Sequence, residues 1–209
     1  MFLITRVVYG FLLAVLMQFC VVTVSYATPV SYNVVVDTSG LSGMSGQLAF
    51  DFIDGGTPSN TMSISGFTGG TLGVMSTVTG AVTGDLPGTV TLADTDFFNE
   101  YLIDFIFGTQ ISFVITASNI APDATSFPDS FSFFLLDSVG ASSLISTDDP
   151  SGADSLIAWS LADTPIAYNL TSGDVIATVT QQTGQSVPEP GTLALLGIGL
   201  VAGALRRRN

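Results

Sequence analysis

Apolar side chains fall on every second residue through the middle of this chain: Tyr32, Val34 and Val36, then Leu48, Phe50 and Phe52, then Met62 and Ile64. Period-two alternation sends one face of an extended segment into a core and the other into water, which a helix with its 3.6-residue repeat cannot do. Runs of the same kind recur at 89–93, 110–117, 130–137, 156–161 and 175–181. Clusters of Gly, Asp, Ser, Asn and Pro, such as Asp54-Gly55-Gly56-Thr57-Pro58 and Gly84-Asp85-Leu86-Pro87-Gly88, mark turns between them. About nine to eleven short strands follow, and the expected fold is all-β, an antiparallel β-sandwich of jelly-roll type. One short helix is expected from Asp94 to Leu102, with an N-cap candidate, acids in the first turn and apolar residues at 97, 98, 101 and 102. It would cap one end of the sandwich.

Charge narrows the function. Of 209 residues 17 are acidic and four basic, and the basic ones are Arg6, Arg206, Arg207 and Arg208, so residues 28–187 hold no Lys, Arg or His. Such a region cannot neutralise phosphates, which excludes nucleic-acid binding. It also lacks the imidazole of a Ser-His-Asp or Cys-His site and any His ligand for a metal. With 47% hydrophobic residues the chain has ample material for a core, and that core must hold without ion pairs.

The two ends read as addresses. Residues 1–27 run from Arg6 through an apolar stretch to Ser25-Tyr26-Ala27. This is the layout of a secretory signal peptide, with small residues at Ser25 and Ala27 before a cut ahead of Thr28. Cys20 raises a lipoprotein alternative, which Gln18 and Phe19 disfavour because that processing requires small residues before the cysteine. A cut after Ala27 removes the one cysteine, leaving a mature chain without thiols or disulfides. The expected division is a signal peptide at 1–27, a β-sandwich domain at 28–183 and a sorting tail at 184–209.

That tail reads Val187-Pro188-Glu189-Pro190-Gly191, an apolar helix at 192–205, and Arg206-Arg207-Arg208. It resembles the PEP-CTERM sorting signal, in which a Pro-Glu-Pro motif, a short hydrophobic helix and an arginine cluster follow one another. The resemblance implies processing by the membrane enzyme exosortase, transient anchoring in the inner membrane, and a Gram-negative envelope with an exopolysaccharide or biofilm context. Physical chemistry agrees on topology. A helix over 192–205 is about 21 Å long against a hydrocarbon core of about 30 Å. The terminal arginines hold its end in the cytoplasm, so the preceding domain lies outside. Pro188 and Pro190 keep the segment around Glu189 extended. The segments 97–102, 131–137 and 146–154 further resemble an uncharacterised family of PEP-CTERM proteins, which implies no active site.

The acids allow two readings. Asp148, Asp149 and Asp154, in a loop with Pro150 and Gly152, are either solvated turn residues or part of a calcium site, since calcium takes carboxylate and carbonyl oxygens. Their spacing is not that of an EF-hand. Asp137, or Asp94 with Asp96, would complete such a site. No other cofactor is expected. An enzyme would need two carboxylates set apart in pKa, and no pair is marked for that role, so no catalytic residue is expected. The expected function is a non-enzymatic structural or interaction role in the cell envelope or extracellular matrix, with exosortase as processing partner. The alternative is a carbohydrate-binding module for exopolysaccharide, calcium-dependent if the loop binds the ion, with Trp159 as stacking face unless it is a core residue, as a lone strand tryptophan flanked by Ala158 and Ser160 commonly is, and Tyr32, Tyr101 and Tyr168 as further candidates.

Overall fold

The structure is a computed structural model; it describes residues 29–56, 60–118 and 127–182, apart from the Met75 side chain. These residues belong to one compact unit, Ala27–Gln185. The signal segment with Ser25, Ala27 and Thr28, and the tail with Val187, Pro188, Glu189, Pro190, Gly191 and Arg206 to Arg208, lie outside the described residues. Among the described residues no helix is long and apolar enough to cross a membrane.

Among the described residues twelve strands form two antiparallel six-stranded sheets. In chain order they are β1 (Val30–Asp37), β2 (Ser45–Ile53), β3 (Thr61–Thr68), β4 (Thr71–Thr79), β5 (Val82–Thr83), β6 (Val90–Ala93), β7 (Phe98–Ile106), β8 (Gln110–Ala117), β9 (Ser130–Leu136), β10 (Ile157–Ser160), β11 (Ile166–Ala167) and β12 (Ala177–Gln181). One sheet has the order β12-β1-β8-β3-β6-β5 and the other β11-β10-β9-β2-β7-β4. The expected all-β sandwich is therefore what the chain forms.

Alternation decides which side chains face the core. In β8, Ile111, Phe113, Ile115 and Ala117 are buried, and in β9 Phe131, Phe133 and Leu135 are buried, while the residues between them are half-covered. Aromatic rings form the seam between the sheets. Phe50 of β2 meets Phe113 of β8 edge-on at 5.4 Å and Phe133 at 4.8 Å, and Phe67 of β3 meets Phe105 of β7 at 5.9 Å. At the β1 side, Tyr32 stands edge-on to Trp159 at 5.0 Å. Such geometries bring the positive ring edge to a negative face and add to the burial itself.

The expected helix from Asp94 to Leu102 is absent. Asp94 to Phe97 form a turn, and Phe98 begins β7. Apolar residues at 97, 98, 101 and 102 mimic one helical turn, but over the whole segment Asn99, Tyr101, Ile103 and Phe105 alternate inward. β7 lies between β2 and β4 and pairs with both, from Ile53↔Phe98 to Ser45↔Ile106 on one side. Two ladders of non-local hydrogen bonds outweigh a local helical tendency worth a few tenths of a kcal/mol per residue.

The edge strand β4 was not legible as a strand. Its register to β7 shifts between Leu72 and Ser76, so the pattern is broken by a bulge around Gly73. The chain reaches β4 from the other sheet through Gly69 and Gly70, both at positive φ, and a Cβ on Gly70 would run into the Phe105 ring.

Phe50→Ala removes the ring that meets both sheets and is expected to cost about 3–5 kcal/mol in urea unfolding, whereas Phe97→Ser, at a 73% exposed position, should stay within about 0.5 kcal/mol of the parent.

Candidate functional site

The β2–β3, β6–β7 and β8–β9 links all lie at one pole of the sandwich, together with the start of β1 and the end of β12. Here Asp54, Asp94 and Asp129 bring carboxylate oxygens within 4.8 Å of one another. Asp129 is fully buried; its Oδ1 accepts from the Gly55 amide at 2.8 Å and its Oδ2 from Asn60 Nδ2 at 2.6 Å. Asp94 accepts from the Asn60 amide, and Asp54 accepts from the Gly56 amide at 2.6 Å. The Asp54 amide donates to the Phe97 carbonyl at 3.0 Å. The cluster thus ties three inter-sheet links together through neutral donors. Burial raises the Asp94 pKa, the Asn60 amide opposes that, and the charges of Asp129 and Asp54 add to the rise.

In the loop at 148–154 the carboxylates accept from backbone and side-chain donors of the loop and its neighbours. Asp149 Oδ2 accepts from the Ser155 amide at 3.1 Å and from the Ser155 and Ser151 hydroxyls at 2.7 and 2.8 Å, and Oδ1 accepts from the Ser151 amide at 2.9 Å. Burial pushes the Asp149 carboxyl up, yet these four donors together hold it below its ordinary value. Asp148 turns to Asn169, and Asp154, at φ 58°, accepts from the Thr147 amide at 2.9 Å. Each carboxylate caps a different piece of backbone, and the group of three acids that converges among the described residues is the one at the pole. Asp137, expected as a possible fourth ligand, accepts from the Ala141 and Val139 amides of its own turn.

Trp159 is 1% exposed, and its indole N–H donates to the Asp163 carbonyl at 3.0 Å. Its faces are spent on the core, one of the two readings open for this residue, and the stacking alternative is corrected. Tyr32 and Tyr101 are buried with it. The Tyr101 hydroxyl donates to Asp85 and accepts from the Leu86 amide at 3.1 Å. Desolvation, reinforced by the bond to Asp85, pushes its pKa up to about 12.

Asp51 combines burial with the lack of such a donor. Asp51 points to the outer face of its sheet, opposite Glu100 on β7 and Ser132 on β9, and its Oδ1 is buried without a hydrogen-bond partner. Desolvation, with the neighbouring Glu100 charge second, pushes the Asp51 pKa up to about 7. No signal in the sequence distinguishes Asp51 from the other strand acids, because the pairing with Glu100 is a matter of register.

Residues 186–208 match the family model for the PEP-CTERM protein-sorting motif. No curated protein and no solved structure matches the chain. The chain is thus an all-β sandwich that carries a sorting tail. That tail marks an exported protein, anchored transiently in the membrane and processed by exosortase.

Two predictions follow from the acids. An acid whose pKa is higher folded than unfolded holds its proton more tightly in the fold, so its contribution is complete below about pH 4 and is lost as pH rises towards about 7. Asp51→Asn should therefore melt higher than the parent at pH 8, by about 1–2 kcal/mol of stability, and match it closely at pH 4. In the 148–154 loop, where backbone and serine donors already occupy the carboxylates, Asp154→Asn should leave the response to calcium unchanged. A calcium-specific melting shift, beyond that of sodium at equal ionic strength and abolished by Asp154→Asn, would reinstate the loop as a cation site.

Proposed function

We propose that this is a non-enzymatic structural or interaction protein of the cell envelope or extracellular matrix, delivered there by its tail and presenting an acidic sandwich. The observation that carries this reading is the sorting motif at 186–208, joined to a domain with no cation and no imidazole. The bonding of the acids supports it: the Asp129, Asp148, Asp149 and Asp154 carboxylates accept hydrogen bonds that hold loops, a structural use of groups that an enzyme would aim into a cleft.

A role in binding exopolysaccharide is the second reading. Trp159 does not support it, so any sugar would need another face. The charge favours a neutral glycan over an anionic one, since no cation is available in residues 28–187 to meet a uronate or a sulfate. Pull-down on neutral and anionic polysaccharides, with retention on neither, would leave the structural reading alone.

Processing should depend on the tail. Replacing Arg206, Arg207 and Arg208, or Pro188 and Glu189, is expected to leave an uncleaved precursor in the inner membrane of a host that has exosortase. Mass spectrometry of the parent should show loss of the C-terminal helix. Normal maturation of the variant without arginines would defeat the sorting interpretation.

A further inference from the structure

We propose that the pole carrying Phe97, Phe98 and Phe127 rests on the lipid bilayer while the tail is still attached, and leaves it on cleavage. This rests on the reading of the tail as a membrane anchor. Three phenylalanines are exposed among the described residues, Phe97 at 73%, Phe98 at 36% and Phe127 at 83%, and all three are at this pole. They are neighbours there: Phe98 pairs with Ile53, the Phe97 carbonyl accepts from the Asp54 amide, and the Phe127 carbonyl packs against Gly55. The exposed apolar residues at the far pole, such as Val139 at 77%, are aliphatic or methionine.

The occupant follows from where the chain goes. β12 ends at Gln181 beside the start of β1, at the phenylalanine pole. About ten residues then separate Gln182 from the apolar run beginning at Thr192, a reach of at most about 35 Å. The phenylalanine pole is therefore the part of the sandwich tethered nearest the membrane. Exposed aromatic rings partition into the headgroup boundary. Three rings are too little apolar surface for a free domain to stay bound, given that even a myristoyl chain gives only marginal binding. A short tether changes this, because it supplies an effective concentration of about millimolar. Asp54 and Asp94 lie beside the rings and are repelled by anionic lipid, so the contact should strengthen as salt screens them.

The chain from Thr28 onward, which has no cysteine, is placed with its tail uncleaved in vesicles of phosphatidylethanolamine and phosphatidylglycerol with brominated acyl chains. A single cysteine at Phe97, Phe127 or Val139 carries an environment-sensitive fluorophore. The expected result is a blue shift and strong bromine quenching at 97 and 127, increasing with sodium chloride, and neither effect at 139. Chain that floats with the vesicles but shows no quenching at 97 and 127, or equal quenching at all three sites, overturns the docking while sparing the anchor. Burial of 97 and 127 that appears only when exosortase is added also overturns it, in favour of the enzyme as occupant. Chain that fails to float removes the anchor reading and the docking with it.

Discussion

No cation exists anywhere in the sandwich, so every carboxylate must be met by a neutral donor or pay for its burial. The fold arranges its loops accordingly. Asp129 collects the Gly55 amide and the Asn60 side chain, Asp149 collects amides and hydroxyls of Ser151 and Ser155, and Asp137 closes its own turn through Val139 and Ala141. Hydrogen bonds to a charged acceptor are about twice as strong as neutral ones. Acids here do the work that ion pairs do elsewhere, without a partner that salt would screen.

The same constraint separates the acids into two groups. The Ser39 hydroxyl and amide hold Asp37 low, and the Ala141 amide leads the set that holds Asp137 low. Asp51 and Asp94 move the other way, because burial outweighs whatever donors they have. Both groups link stability to pH, in opposite senses: the lowered acids lose their contribution as pH falls, and Asp51 and Asp94 lose theirs as pH rises.

Beneath these loops the core is held by burial and ring contact. The seam of Phe50, Phe113 and Phe133 runs through the centre, with Tyr32 and Trp159 closing one side and Phe67, Phe105 and Phe107 the other. Buried Asn99 is fully engaged there: it accepts from the Ala81 amide at 2.7 Å and donates to the Phe52 and Asp96 carbonyls. That side chain joins the β4–β5 turn to the β6–β7 link at the acidic pole. Connectivity thus makes the two poles chemically distinct, with the carboxylate cluster and every exposed phenylalanine of the described residues at the one where the described chain begins and ends.

The alternation of Tyr32, Val34 and Val36 or of Phe131, Phe133 and Leu135 is local, and it determined by itself that the middle of the chain is all-β and which face of those strands is inward. The order of residues in the tail likewise needed no fold to be legible. Register needed one. Asp54, Asp94 and Asp129 are far apart in the chain and converge because three links meet at one pole; Asp51 is set against Glu100 because β2 and β7 pair in one register among several. For the same reason the Asp94 to Leu102 stretch read as a helix: only the flanking strands β2 and β4 make it a strand. Trp159 could have faced out with Ala158 and Ser160 or in without them, and the choice belonged to the packing of Tyr32 against it. Sequence carries the period of a strand, and tertiary structure alone carries its neighbours, because pairing energy comes from residues the local pattern does not contain.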